Sequence, residues 1–285
     1  MAGSGSSAGL GLCSALFWGG SDFAGGWGSR RAPALLLVTA GQILTLAFLL
    51  ALCFALRIPA PANHYAILAV IGGAEGALSL VIFYRALAIG AMGLTATLTG
   101  LLTALIPVLF SILRDGLPAP VTLAGLATGC AAIWFITHQG ETSAGKDGPG
   151  TSGKALLLGA LAGFGFGLQL VLLKMASAGG VLWSLTWTRV AGVAALVLTL
   201  TILRTSAPVK AFLPVGTLAG VLDTLGNLFY VLAAKAGRLD IAAMVSSLYP
   251  AATIVLAAIL LRERPSRRQL AGIGLALAAV MILSV

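Results

Sequence analysis

The sequence predicts an all-α integral membrane protein of about ten transmembrane helices, arranged as two inverted five-helix repeats. Three observations carry that expectation: an apolar composition, a regular alternation of apolar runs with short polar breaks, and related text in the two halves. Residues of the AVILMFWYC set make up 59% of the 285-residue chain and charged residues only 9%, against about 25% charged in soluble domains. So few charges cannot cover a water-facing surface, and the chain therefore needs an apolar solvent.

A span needs roughly 20 apolar residues, because each adds about 1.5 Å of rise against about 30 Å of hydrocarbon. Ten runs meet that length, at about 8–28, 33–56, 65–89, 92–113, 119–137, 154–176, 181–203, 211–236, 239–261 and 267–285. Arg30 and Arg31 close the first run, Arg57 the second and Arg114-Asp115 the fourth. Arg204 and Lys210 separate the seventh from the eighth, and Arg262-Glu263 ends the ninth. Breaks this short make successive helices antiparallel neighbours. The longest break, His138–Gly153, is polar and rich in Gly and Ser, and reads as a flexible linker. It divides the chain into a first five-helix repeat at 1–137 and a second at 154–285.

Charge and cysteine content narrow the function classes. The net charge is +9, but the basic residues are scattered at the ends of apolar runs. Nucleic-acid binding needs a contiguous basic face, so it is excluded as the reading. Cys13, Cys53 and Cys130 fall in separate apolar runs without CxxC spacing and read as small fillers. Met1–Ser7 holds no basic residue, which argues against a secretory signal peptide and for a retained first helix. Short loops and the lack of targeting segments point to a bacterial inner membrane.

The two halves carry related text at an offset near 147. Trp18-Gly19 answers Phe166-Gly167, and Phe83-Tyr84 with Ala86 and Ala88 answers Phe229-Tyr230 with Ala233 and Ala234. Arg114-Asp115 answers Arg262-Glu263, and Leu123-Ala124-Gly125 answers Leu270-Ala271-Gly272. Four matches in one order identify a repeat. Five helices per half place the halves in opposite orientation, an architecture of secondary transporters with the site near the midplane.

These residues resemble the EamA-type branch of the drug/metabolite transporter superfamily. The likeness spans the chain: an aromatic-Gly pair in the first helix of each half, a Tyr–small–Ala stretch ending the third, Pro in the fourth and ninth, and an acidic turn before the last. Pro250 stands thirteen residues before Glu263, as the resemblance implies, whereas Pro107 stands only eight before Asp115. The resemblance implies alternating access, and an aromatic cavity wall at Trp18 and Phe166. It also implies both termini inside. Loop charge implies the reverse: eleven Lys and Arg lie on the side of the linker and five on the side of the termini.

The candidate site residues are those that a bilayer tolerates least. Glu75, flanked by Gly72, Gly73 and Gly76, is central in the third run, and Asp223 is central in the eighth, 148 positions later. Each costs about 2.5–3.5 kcal/mol on insertion scales, so such acids face a cavity, bind an ion or proton, or pair with a base. Either acid is placed to exchange a proton during transport or to hold a substrate ammonium. Arg189, in the seventh run, reads as a counter-charge to Glu75 or Asp223, as a clamp on a substrate carboxylate, or as an arginine packed beside Trp183 and Trp187. Asn227 lies one turn beyond Asp223 on the same face. Gln169 and Gln42 read as cavity-lining or as interhelical glue, and Tyr249 beside Pro250 sits where a kinked helix opens its backbone. Asp22 reads as an interfacial acid. Glycines at four-residue spacing, as in Gly159, Gly163 and Gly167, bring helices close.

The expectation is therefore a secondary transporter working by alternating access, an exporter of an amino acid or related metabolite, or of a drug, with proton coupling, no cofactor and no metal. A channel or a structural membrane protein is the alternative. An intramembrane enzyme is less favoured, since His64 and His138 lie at loop edges and no Ser/His or paired-Asp motif is present. The expected partners are a small-molecule substrate and the lipid bilayer. Monomer and homodimer are both open.

Overall fold

The computed structural model describes residues 2–29, 31–89, 92–137, 149–262 and 265–285, and among them every regular element is helical. The first half comprises α1 (Ala2–Ser29), α2 (Ala34–Ala55), α3 (Asn63–Ile89), α4 (Met92–Asp115) and α5 (Pro120–Thr137). The second comprises α6 (Pro149–Ala176), α7 (Val181–Leu203), α8 (Val209–Ala236), α9 (Leu239–Ser246), α10 (Tyr249–Leu260) and α11 (Arg267–Leu283). Of the linker, residues 138–148 lie outside the described residues, and Pro149–Gly153 form the first turn of α6. Glu263 also lies outside them.

Among the described residues, eight stretches are long and apolar enough to cross a membrane, with α9 and α10 counted as one span over Leu239–Leu260. The outer surface is apolar, with Leu113 86% exposed and Phe54, Ile202 and Ile259 also turned outward. Ala, Ser and Thr recur in the interior, packed with Leu, Ile and Val in two apolar clusters. Apolar tails outside remove the hydrophobic drive between helices, so close contact through the small residues helps to hold the bundle. α1 is not among the eight stretches. It is rich in Gly and Ser, and it packs against α8, α9 and α10 rather than facing outward alone.

Packing repeats between the halves. α1 lies on α8 as α6 lies on α3, and α2 lies on α8 as α7 lies on α3. α4 packs on α6 as α9 and α10 pack on α1, while α2–α7 and α5–α11 pair across the axis. Backbone turns keep the same register. α2 and α7 both end in a left-handed residue, Arg57 (φ 51°) and Arg204 (φ 48°), 147 positions apart. Two inverted repeats account for both patterns.

The ninth run, expected as one helix over 239–261, is broken at Ser247-Leu248. Pro250 has no N–H to give the Ser246 carbonyl, and its ring crowds that carbonyl, so helical bonding stops there. Leu248 N bonds back to Val245 O at 3.2 Å, and α10 restarts with Ala251 N on Leu248 O at 2.9 Å. Pro107 does not have this effect, and α4 runs through it unbroken. Glycines at four-residue spacing lie in seams: Gly163 and Gly167 meet Thr99 and Ile106 of α4, and Gly216 and Gly220 meet Leu37 and Gly41 of α2.

Candidate functional site

Two polar clusters form in the interior, one in each half-symmetric position. On α3, the missing side chains of Gly73 and Gly76 admit the Thr188 backbone of α7 and the Gln169 side chain of α6. Glu75 is thereby pressed toward α6. Its Oε1 accepts a hydrogen bond from Ser79 Oγ at 2.7 Å, and its Oε2 is buried with no partner among the described residues. Gly165 of α6 makes the room: a Cβ there would overlap both Ser79 Oγ and Glu75 Oε1. Phe166, the next residue, meets Phe83 edge-on at 6.1 Å. Gln42 of α2 reaches Gly192 of α7, and its Oε1 is also buried and unpartnered.

The second cluster centres on α8. Arg189 Nη2 donates to Asp223 Oδ2 in a short ion pair and to Thr224 Oγ1 at 3.1 Å. Asn227 Nδ2 donates to Asp223 O at 2.8 Å and to Asp223 Oδ2 at 3.2 Å. The Arg189 side chain is 7% exposed and that of Asp223 36%. The guanidinium is thus withdrawn from water while the carboxylate keeps an open side. Asp22 of α1 is exposed, yet it lies within electrostatic range of Asp223 and of Tyr249.

Aromatic rings flank this second cluster. Trp18 fills the space over Gly226 of α8, stacks on Tyr230 at 5.8 Å and meets Tyr249 edge-on at 6.2 Å. Tyr230 is fully buried and donates to Leu170 O at 2.9 Å. Gly19 allows this approach of α1 to α10, since a Cβ there would stand 2.7 Å from Tyr249 O. Tyr249 directly follows the helix break, where Ser247 Oγ is buried without a partner.

Of the residues singled out from sequence, the structure joins Asp223, Asn227 and Arg189 by hydrogen bonds, and it puts Trp18 against Tyr249. Glu75, Gln169 and Phe166 gather at the α3–α6 seam. Arg189 turns to Asp223, and among the described residues no ion pair or hydrogen bond joins it to Glu75. Trp183 and Trp187 stack on each other at 6.3 Å, and Trp183 Nε1 donates to Ile58 O at 3.1 Å. From sequence Asp22 reads as an interfacial or capping acid, and the structure brings it within electrostatic range of Asp223. The repeat held the signal, because Asp22, Gln42 and Glu75 stand 147, 147 and 148 positions before Gln169, Arg189 and Asp223. Sequence reasoning missed a ladder along α1, where Ser7, Ser14 and Ser21 donate to the carbonyls of Ala233, Gly226 and Ala219 at 3.0, 2.9 and 2.9 Å. Their seven-residue spacing is the visible trace.

Inverted helical halves with polar groups buried between them are the architecture of membrane transporters. Residues 153–285 match the model of the EamA-like transporter family. A solved structure titled "Crystal structure of protein" superposes with a TM-score of 0.79 over 97% of this chain and 96% of its own, at 18% identity. At that identity the likeness is one of fold. No curated protein matches the chain by sequence. Among the described residues, no group of three or more His, Cys, Asp or Glu is placed to hold a metal ion.

Proposed function

We propose that the protein is a secondary transporter that exports a small metabolite, an amino acid or a related amine, or a drug, across a bacterial inner membrane. The two five-helix halves rock on their glycine seams, opening the central clusters to one side and then the other. The observation that carries the reading is the charge balance of the two clusters. Among the described residues no cation pairs with Glu75, and Arg189 offsets only one of Asp223 and Asp22. Each cluster therefore holds one carboxylate in excess. A carboxylate without a counter-charge is costly at the depth of a bilayer unless it binds a proton or a cation during the cycle.

Residue roles follow from that balance. Glu75, with Oε2 unpartnered, takes the coupling proton or a substrate ammonium. The Arg189–Asp223–Asn227 network faces the substrate from α7 and α8, its guanidinium clamping a carboxylate when one is present. Trp18, Phe166 and Tyr249 supply aromatic walls, and Gln169 lines the α3–α6 side. The match of the second half to a transporter family supports the class of activity.

The test is export itself. Wild type and Glu75→Gln/Asp223→Asn are expressed at matched membrane levels and the metabolites in the medium are profiled. A metabolite enriched only by wild type supports the reading and names the substrate class. Equal enrichment by both would reduce the acids to structural parts, and none with either would overturn export.

A further inference from the structure

Away from the central clusters, α4, α6 and α8 all end on one face of the bundle, and a cavity of about 280 Å³ opens between them. Phe110, Arg114, Asp115, Lys174, Arg238 and Leu239 line it. Cations at these helix ends complement the carbonyl ends of the helix dipoles. Lys174 Nζ donates to Ala234 O at 2.5 Å, Lys235 Nζ to Ser177 O at 3.3 Å and Arg238 Nη2 to Gly116 O at 3.0 Å.

Those bonds do not use up the positive charge. Arg238 is committed to the fully buried Asp240 through Nε and Nη2, at 3.1 and 2.9 Å. Asp115 is the other acid at hand, and it stands 4.0 Å from Arg114 Nε, beyond hydrogen-bond length, while accepting from Ser111. The Arg114 guanidinium, 62% exposed, and two of the three Lys174 N–H groups remain to be filled. Lys235 and Arg114 lie near enough to repel the Lys174 charge, and Asp115 near enough to offset part of that repulsion. Cations crowded at the rim of a cavity, with one apolar wall formed by Phe110 and Leu239, suit an anion that carries an apolar or neutral remainder. A planar guanidinium matches two phosphate oxygens, and an ammonium adds a point charge.

We propose that this cavity binds a phosphate group between Arg114 and Lys174. The group belongs either to the headgroup of an anionic phospholipid or to a free phosphate in water. The volume, below that of a drug-sized pocket, admits a phosphate and a few further atoms and not a whole lipid.

The full chain, purified in neutral detergent, is titrated with dioctanoyl phosphatidylglycerol and, separately, with inorganic phosphate, reading the rise in melting temperature and bound mass by native mass spectrometry. Saturable binding is expected for wild type. Arg114→Gln/Lys174→Gln weakens it roughly 30-fold, from the usual worth of two cations near a membrane surface. Arg114→Gln alone, whose side chain supports no other helix, weakens it about fivefold and guards against misfolding of the double variant. Lys210→Gln/Arg267→Gln, with the same charge removed elsewhere, leaves it unchanged. Binding of the lipid without competition from millimolar phosphate assigns a lipid site, and competition assigns a site open to free phosphate. Equal binding by wild type and both pocket variants, or equal loss in the Lys210/Arg267 control, overturns the proposal.

Discussion

The carboxylates at the middle of α3 and α8 hold equivalent places in the two halves but live in different surroundings. Asp223 has a guanidinium from α7, a threonine hydroxyl nearby and an amide one turn away. Glu75 has one serine hydroxyl, and where repeat symmetry puts the counterpart of Arg189 there is Gln42. The seams differ in the same way. α1 is laced to α8 by three serine hydroxyls, whereas α6 meets α3 through Gly165, Gly72 and Gly76. One half carries a paired, hydrogen-bonded network; the other carries an acid with an open oxygen in a glycine-lined slot. An inverted repeat makes two copies of a scaffold, and substitutions such as Gln42 for Arg189 and Gly76 for Thr224 turn those copies into unlike surroundings.

The largest expected effect separates the two acids by function. If Glu75 carries the proposed coupling proton, Glu75→Gln cuts export by about 100-fold, the scale of losing a positioned proton-transfer group, and leaves the remaining flux indifferent to an imposed pH gradient. Asp223→Asn slows export yet keeps its dependence on the gradient. Flux in vesicles with a set pH step reads both, and equal gradient dependence in wild type and Glu75→Gln would erase the distinction.

Stability gives the next contrast. Arg189→Met strands Asp223 beside Asp22 and costs about 3 kcal/mol, the low end for a broken buried pair because Asp223 keeps an open side. Its counterpart Gln42→Met removes an amide whose oxygen already lacks a partner, and changes stability by less than about 1 kcal/mol. Thermal unfolding in detergent measures each. Adding Asp223→Asn to Arg189→Met restores part of the loss if the pair is the cause.

Smaller changes probe the seams. Gly165→Ala drives a methyl into Ser79 and Glu75 and costs about 1–3 kcal/mol as overpacking, with a matching loss of export. Ser14→Ala costs about 0.6 kcal/mol, the usual size of an interhelical hydrogen bond in a bilayer. The triple Ser7→Ala/Ser14→Ala/Ser21→Ala costs about 2 kcal/mol on the same scale. Smallest of all, Arg57→Gly and Arg204→Gly each relieve a left-handed residue by up to about 1 kcal/mol. Equal gains at the two positions are what the repeat requires.

The membrane fold, the places of the helices and the division into halves follow from the amino-acid sequence by itself. Span length and apolarity are summed locally, and a 285-residue chain with 9% charge has few other folds open to it. Glu75, Asp223 and Arg189 stand out in the sequence as candidates, since any ionisable group in a span must be accounted for. Tertiary structure alone decided which acid takes the arginine, because α7 packs on α3 and α2 and yet sends the Arg189 side chain to Asp223 of α8. It decided that Pro250 breaks its helix while Pro107 does not, although both remove the same N–H. It also raised Asp22 from an end-of-helix acid to a neighbour of Asp223. Partner choice and helix facing are set by contacts between residues more than a hundred positions apart, which no local pattern encodes.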